Sequence, residues 1–488
     1  MHLFRHRRTS SGILALFFGL FILTACDKGT EKEPEVSVPA NQGTYAPAPF
    51  PPSSVTGIDM PTSRATLDSL IDVQDSSALM DHAWGIWVGL TTPTDIVVNN
   101  RNLLVYESWL DVQQLDFAAK NGISYDSLIK TPRPTNHLTH LRQLTHTLTR
   151  KADLMQAQAV LEKFNTNESV KYNGPAGKFV LDNNYLLAST LNGLVKKGDT
   201  ASISDFPADA ITLKPTYFVL DADSAQDGRY YQIPAWPGPP GSYSADTAGF
   251  GPEKWGYAVW IDTQNQAHGD GSFIPTDAPR SDLATYNLSD FIYFKLTAED
   301  AKDMNINNGT KSNEAGDIAV LLAMHVTSKE TKRWTWQTFW WSSDPYAVIA
   351  PTSETMIQAR PDDKLQGAAA HYSGHIAYSM IWPGQPETGG NNEGTPIFTF
   401  NPYLEAGFNS NVFTPRENNQ VINNGTTIWT DAGVRTNCMS CHALASYSNL
   451  GKSTPYVGDT YIDLADTTFF NSVVKVDFLW SIQANVQE

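Results

Sequence analysis

The chain has 488 residues, of which 41% are hydrophobic and 17% charged, and its formal net charge is −17. This composition supports a large folded core and excludes a disordered chain, a collagen-like fibre and a coiled coil. The acidic balance argues against nucleic acid as a partner, because phosphates are bound by lysine and arginine. With only three cysteines, the protein is not a disulfide scaffold.

The N-terminus has the pattern of an export signal. Three arginines and no acid precede an apolar run at 12–23, which is shorter than the roughly 20 residues of a membrane span and so disfavours a transmembrane anchor. Residues 23–26 read Leu-Thr-Ala-Cys, which resembles the cleavage site of a bacterial lipoprotein. The resemblance implies that 1–25 is a signal peptide, that Cys26 is acylated, and that the protein is anchored to a membrane of the bacterial cell envelope.

The next two parts differ in composition. Residues 26–61 are rich in proline and in charged side chains, which predicts an extended, acylated tether. Residues 62–165 are predicted to be mainly helical, with a helical stretch near 64–70 and an aromatic block at 84–90. A helix is also predicted over 134–164, where a proline at the start precedes leucines spaced three and four apart.

Residues 166–400 are predicted to form a β-rich body. Short β-prone runs separated by Gly, Pro, Asn and Asp are typical of an antiparallel sandwich, and they lie at 179–181, 185–187, 211–220, 257–261, 291–296 and 317–327. The last run and 334–341 are predicted to form a hairpin that is apolar on both faces, so both faces should be covered. The residues that cover the two faces of the hairpin belong either to the core of the sandwich alone or to a core in which a flat apolar cofactor covers part of one face.

The clearest chemical signal is the motif Cys438-Met-Ser-Cys441-His442. Two thiols three positions apart at a helix start lie on one side of the turn, so both can form thioethers with the vinyl groups of a haem. His442 would then be the proximal iron ligand, and Asn437 would cap the helix. A disulfide redox pair and half of a zinc site are the alternatives, but the chain has no thioredoxin-like context, no second cysteine pair and no later histidine.

One covalently bound haem c is therefore predicted, and its second axial ligand must come from earlier in the chain, because neither Met nor His follows His442. The distal candidate is His325, with Met380 as the alternative. An iron with five ligands is a further alternative, as are Met324, His371 and His375. Strand alternation over 371–382 would place the two histidines of that run on one face and Met380 on the other.

A second pattern joins His325 to Lys329 as H-x-x-x-K, followed by W-x-W-x-T-F from Trp334 to Phe339. With the aromatic block, the haem motif and the closing Asp-Phe-Leu at 477–479, it resembles a family of large exported bacterial monohaem proteins, usually labelled cytochrome c family, whose reaction is undefined. The family tends to have Glu-His after the T-F, where this chain has two tryptophans, which argues against a metal role there. The resemblance implies one haem and an exported location, but no substrate.

The sequence thus predicts an α+β fold: an antiparallel β-sandwich-like body with N-terminal helices and a C-terminal haem-attachment helix in 401–488, packed on the body. The predicted function is that of a lipid-anchored monohaem c-type cytochrome in electron transfer, whose redox partner protein would be basic. The alternative is a haem enzyme or sensor, peroxidase-like or binding a small ligand at an open or displaceable distal site. The length of the chain favours this alternative function, because a monohaem electron carrier needs only about 100 residues. A haem-free adhesion lipoprotein is the third class.

Overall fold

The structure is a computed structural model, and it describes residues 44–135, 138–140, 166–239, 250–309, 312–407, 420–423, 426–429, 437–449 and 461–486. The predicted signal peptide, Cys26 and the first part of the predicted tether lie outside the described residues. So does most of the helix predicted over 134–164.

The helices are α1 Ser53–Thr56, α2 Arg64–Asp72, α3 Ser76–Thr91, α4 Val112–Lys120, α5 Tyr125–Leu128, α6 Gly174–Asp182, α7 Ala188–Leu194, α8 Ala298–Asn308, α9 Glu354–Gln358, α10 Pro402–Glu405, α11 Cys438–Ala443, α12 Thr467–Phe470 and α13 Trp480–Asn485. Most begin at a residue that caps them. Asp75, for example, accepts a hydrogen bond from the amide of Ala78 at 3.1 Å and starts α3.

The strands are β1 Pro93–Val98, β2 Arg101–Leu104, β3 Leu110–Asp111, β4 Thr139–His140, β5 Thr166–Glu168, β6 Lys171–Tyr172, β7 Thr200–Ser202, β8 Ile211–Leu220, β9 Tyr230–Pro234, β10 Tyr257–Asp262, β11 Ile274–Pro275, β12 Thr285–Asn287, β13 Tyr293–Lys295, β14 Ile318–Ser328, β15 Thr335–Trp341, β16 Tyr372–Ile376, β17 Ile381–Trp382, β18 Thr395–Pro396, β19 Gln420–Asn423, β20 Thr426–Trp429, β21 Ser446–Tyr447 and β22 Val473–Lys475.

A nine-stranded antiparallel sheet is the centre of the fold. Its order is β16-β15-β14-β8-β5-β4, while β13 pairs with β14, β6 with β8 and β3 with β6. A four-stranded sheet contains β9, β10, β11 and β12, and a three-stranded sheet contains β7, β21 and β22. Each of these two sheets contains one parallel pair. Helices together with several antiparallel sheets give the α+β class that the sequence predicts.

The predicted hairpin is confirmed as β14–β15, with Ser328 opposite Thr335. Both strands are buried along almost their whole length, as the two apolar faces require. Helix α3 covers one face of the sheet: the ring of Trp87 stacks on Phe339 at a centroid distance of 4.6 Å and lies 5.0 Å from the ring of Tyr372. The opposite face carries the candidate site.

A second hydrophobic core surrounds the cysteine motif. It joins α4, α6, α11 and α13 to one end of β15, through side chains that include Leu115, Val180, Trp336, Met439, Ala443, Leu479 and Ile482. The described residues belong to one compact unit. The motif is therefore built into the main body of the fold.

Four sequence-based expectations for secondary structure are wrong, and the first is the strand at 185–187, where the structure has a turn that leads into α7. Residues 179–181 lie in α6 rather than in a strand, because Asn173 caps a helix with a proline in its first turn. Thr139–His140, inside the predicted 134–164 helix, pairs as a strand with β5. The strand predicted over 371–382 ends at Ile376, so Met380 is not related to His371 by strand alternation.

The end of the predicted tether, 44–61, packs on the body. Tyr45 is buried, and the backbone of Ala48 donates to Ser108 Oγ at 2.8 Å and accepts from Trp109 Nε1 at 2.9 Å. These residues therefore do not hold the body at a distance as a free tether would, because Phe50 and Ile58 pack against Gly89 and Gly85 of α3. The start of the tether lies outside the described residues.

Candidate functional site

The cysteine motif begins helix α11. Asn437 caps it as predicted: its Oδ1 accepts from the amide of Ser440 at 2.9 Å. The Nδ2 group of Asn437 donates to the carbonyls of Met380 at 3.1 Å and of Ile397 at 2.7 Å. Because Asn437 is buried, these bonds fix the start of the helix against the residue before β17 and the residue after β18.

Cys438 and Cys441 are half-buried on one side of this helix, and neither forms a disulfide. Burial raises the pKa of the Cys438 thiol well above its usual value, and the negative charge of Glu405 acts in the same direction. Catalytic thiols need the opposite shift, since the thiolate is the reactive form. The environment of Cys438 therefore argues against a thiol–disulfide redox site.

The imidazole of His442 is held in one tautomer. Its Nδ1 lies 2.7 Å from the carbonyl oxygen of Phe478, which can only accept, so Nδ1 carries the proton. Nε2 then keeps its lone pair, as metal-binding histidines do. Burial lowers the pKa of His442 to about 3, and the charges of His325 and Lys214 act in the same direction. The ring is therefore neutral at physiological pH, which is its metal-binding form.

The ring of His442 lies against Trp336, with 4.3 Å between the ring centroids. Trp336 is on β15, on the face of the large sheet that points away from α3. Helix α11 therefore lies on that side of the sheet.

This side of the sheet bears an unusual number of polar groups, and we call it the polar face. Residues that pair across antiparallel strands share a face. One row runs from Lys214 on β8 to His325, Thr338 and His375 on the next three strands, and the other members are Thr216, Thr327 and Ser373. Trp336, and with it His442, lies one row from His325.

His325 is hydrogen-bonded to Glu405 of α10, with 2.7 Å between Nε2 and Oε1. The other carboxylate oxygen accepts from the amide of Asn401 at 2.5 Å, and Asn401 also donates to Thr338 Oγ1 at 2.8 Å. Burial raises the pKa of Glu405, but the positive charge and hydrogen bond of His325 more than offset this, so its pKa lies below the usual value. Glu405 is therefore an anion that orients His325.

Four buried polar atoms of the polar face have no hydrogen-bond partner in the part of the chain that the structure describes: His325 Nδ1, Thr216 Oγ1, Thr327 Oγ1 and Ser373 Oγ. Ser440 Oγ on α11 is a fifth. Buried polar groups are normally paired, and an unpaired one costs about 1–3 kcal/mol. The four sheet residues lie in the row of His325 or in the rows on either side of it, so a bound polar group could reach several of them at once.

Met380, the alternative distal candidate, lies under the start of α11. Its sulfur accepts from the amide of Ile462 at 3.3 Å and is buried in the second core. Met324 is buried in the other core. His371 is half-exposed near Asp290, and His375 is fully buried with Nδ1 bonded to Thr399 Oγ1 at 2.9 Å. The charge of His325 is among those that act on His442.

Sequence reasoning missed Glu405, Asn401 and Lys214. The Asn-Pro-Tyr-Leu-Glu run at 401–405 has the sequence pattern of a helix start, with an asparagine cap and a proline at the first helical position. Nothing in the sequence pairs its glutamate with a histidine 80 positions earlier. The sequence marks Phe478 only as part of the closing Asp-Phe-Leu run, which forms a turn in the structure, whereas its carbonyl orients His442.

Comparison with family models, with curated proteins and with solved structures finds no match for this chain. Within the described ranges, no three His, Cys, Asp or Glu side chains are grouped closely enough to hold a metal ion between them. Among those same residues, no helix has the length and apolar character needed to cross a membrane.

Proposed function

We propose that this protein is a lipid-anchored monohaem c-type cytochrome that transfers electrons in the bacterial cell envelope. In this proposal α11 is the haem-attachment helix of a sandwich-like body, Cys438 and Cys441 form the thioethers, and His442 ligates the iron through Nε2. The observation that carries it is the 2.7 Å bond from His442 Nδ1 to the Phe478 carbonyl, next to two cysteines one helical turn apart. The resemblance to exported monohaem proteins supports the same assignment.

The residues around α11 suit such a group. A bound haem would supply a one-electron couple, and the chain would hold its iron ligand. Trp336 packs on the ring of His442, and Asn437 fixes the helix start. The unpaired polar atoms of the polar face would meet the polar edge of the group or a ligand bound to it. Cys26 would carry the lipid, and the redox partner would be a basic protein.

Absorption spectroscopy of the protein from a host that attaches haem tests the assignment. We expect haem absorbance that remains with the polypeptide after denaturation and acid–acetone extraction, and its loss in Cys438→Ala/Cys441→Ala. Ser440→Ala is the matched control, since it alters the motif without removing a ligand, and it should retain the haem. Extraction of all haem from the wild type would refute covalent attachment.

The hydrogen bond between His325 and Glu405 favours a second function, a haem enzyme or sensor with a displaceable distal site. Because Nε2 of His325 is already bonded to Glu405, this histidine is better placed to hydrogen-bond a small ligand than to ligate iron. Carbon monoxide separates the two functions. Rapid carbon monoxide binding by the reduced protein, with a C–O stretching frequency that shifts in His325→Leu, supports the haem enzyme or sensor. Slow binding that becomes fast in His325→Leu supports iron ligation by His325.

A further inference from the structure

The carbonyl that holds His442 belongs to an unusual stretch of backbone. Asp477 and Phe478 have φ angles of 47° and 70°, in the left-handed region. This conformation is uncommon for residues other than glycine and is unfavourable for a bulky side chain such as phenylalanine. The surrounding structure must therefore hold the turn, and the turn is what directs the Phe478 carbonyl at Nδ1 of His442.

A buried ion pair does this. Lys329 Nζ donates to Asp477 Oδ1 at 2.6 Å, and the second carboxylate oxygen accepts from the amide of Phe206 at 3.1 Å. The lysine side chain is 4% exposed and the aspartate side chain 8%. Lys329 also donates to the carbonyl of Lys332 at 2.9 Å, so the pair connects the β14–β15 turn to the turn at 477–478.

Lys329 is the lysine of the H-x-x-x-K pattern, and the predicted electron-transfer site gives it no task. It lies in the hairpin loop, four residues after His325, whereas His442 lies more than a hundred residues later. The structure connects the two through Asp477 and the carbonyl of Phe478. A buried charge pair is costly to maintain and is weak evidence for stability by itself, so a role in placing the turn is the better account of it.

We propose that Lys329 and Asp477 are positioning residues for His442: their ion pair holds the left-handed turn whose Phe478 carbonyl accepts the Nδ1 proton and fixes the orientation of the imidazole. This inference rests on the proposed function. When a carbonyl accepts a hydrogen bond from Nδ1, the lone pair of Nε2 binds iron more strongly, which stabilises the oxidised state. The ion pair would thus set the reduction potential without touching the haem.

The test uses the haem-loaded protein and the double variant Lys329→Met/Asp477→Asn, which removes both charges together and leaves the net charge unchanged. We expect its reduction potential to rise by about 59 mV, which corresponds to a tenfold change for a one-electron couple. The His442 Nδ1 proton, followed by its hyperfine-shifted NMR signal, should exchange with solvent about tenfold faster. Lys329→Arg keeps the ion pair and should retain both values.

The matched control is Lys178→Met/Asp182→Asn, which removes an exposed lysine–aspartate pair on α6 and should change neither value. A haem-loaded double variant with the wild-type potential and exchange rate would overturn the inference. If the double variant does not accumulate, Asp477→Glu takes its place, because it keeps the charge but displaces the carboxylate; unchanged values there would also overturn it. Wild-type protein that carries no haem by mass would refute the proposed function, and this inference with it.

Discussion

The two half-buried imidazoles His325 and His442 differ in which ring nitrogen is engaged. His442 donates through Nδ1 to a carbonyl and has Nε2 available, whereas His325 uses Nε2 with Glu405 and has a buried Nδ1 without a partner among the described residues. The first arrangement suits an iron ligand, and the second suits a group that hydrogen-bonds or exchanges a proton with something beside it. The two histidines therefore have different chemical roles.

His375 predicts a pH dependence of stability. Burial lowers its pKa to about 4, so between pH 6.5 and 4 the unfolded chain binds a proton that the folded chain does not. The contribution is fully present above pH 6.5 and is lost as the pH falls toward 4, by about 3 kcal/mol. Urea unfolding at several pH values measures it.

The variant that tests this is His375→Asn, because the asparagine amide can keep the bond to Thr399 Oγ1 without a titrating ring. We expect a flatter dependence of the unfolding free energy on pH in that window. His268→Asn changes an exposed histidine and serves as the control. Equal slopes in wild type and His375→Asn would show that His375 is not the titrating group.

The sequence was informative about the site where the interactions are local. The spacing of Cys438, Cys441 and His442, and the cap at Asn437, follow from the geometry of a single helical turn. The contacts of His325 and His442 with Glu405 and Phe478 span 80 and 36 positions, and no periodicity reports contacts of that range. Those contacts required the fold.

At the scale of elements, helix α3 and the segment before it fit together through two glycines. Gly85 and Gly89 lie one turn apart, and a Cβ built on them would lie 2.6 Å from Ile58 and 2.2 Å from the ring of Phe50. These glycines therefore form the grooves that receive the two side chains. This explains why a proline-rich segment that reads as a tether is ordered against the body over its last residues.

Gly89→Ala should consequently destabilise the protein by about 1–3 kcal/mol in thermal or urea unfolding, because the added methyl group has no space beside Phe50. In a Phe50→Ala background the same change should be neutral or mildly stabilising, since alanine favours a helix over glycine. Gly193→Ala on α7 is the control: no atom lies within 4 Å of the added Cβ, so it should not destabilise. A fully stable Gly89→Ala protein would contradict this packing.

Element type was predictable where a run was long and bounded by turns, as for β8 and the β14–β15 hairpin. The run at 179–181 failed because β-prone side chains there follow a helix cap, and packing of α6 against α4 outweighs their intrinsic preference. The prediction of one strand over 371–382 is wrong because nothing in the alternation of its residues marks Ile376 as the point where pairing with β15 ends. Local propensity is overridden where tertiary packing favours the other kind of element.

At the scale of the whole molecule, the predicted anchor concerns residues outside the described ranges. Cys26→Ser should move the protein from the membrane fraction to the soluble fraction, because only the acyl chains would hold it. Fractionation followed by immunodetection measures this, with Cys438→Ser as a matched cysteine control that should stay with the membrane. Retention of Cys26→Ser on the membrane would count against lipid anchoring.

The net charge of −17 becomes −17 − 3 = −20 when the predicted signal peptide with its three arginines is removed, and this charge predicts electrostatic steering of the redox partner. The electron-transfer rate with a cationic small acceptor should fall as salt is raised, because charges are screened beyond about 8 Å at physiological ionic strength. A neutral acceptor of similar potential is the control and should show no such trend. A rate with the cationic acceptor that does not depend on salt would mean that the charge serves solubility alone.

The central claim is that the cysteine motif on α11 carries a covalent haem. Mass spectrometry of the tryptic peptide 436–452, prepared under denaturing conditions from a host that attaches haem, tests it most directly. The account predicts one haem mass on this peptide and the unmodified mass in Cys438→Ala/Cys441→Ala. The unmodified mass in the wild type would contradict it.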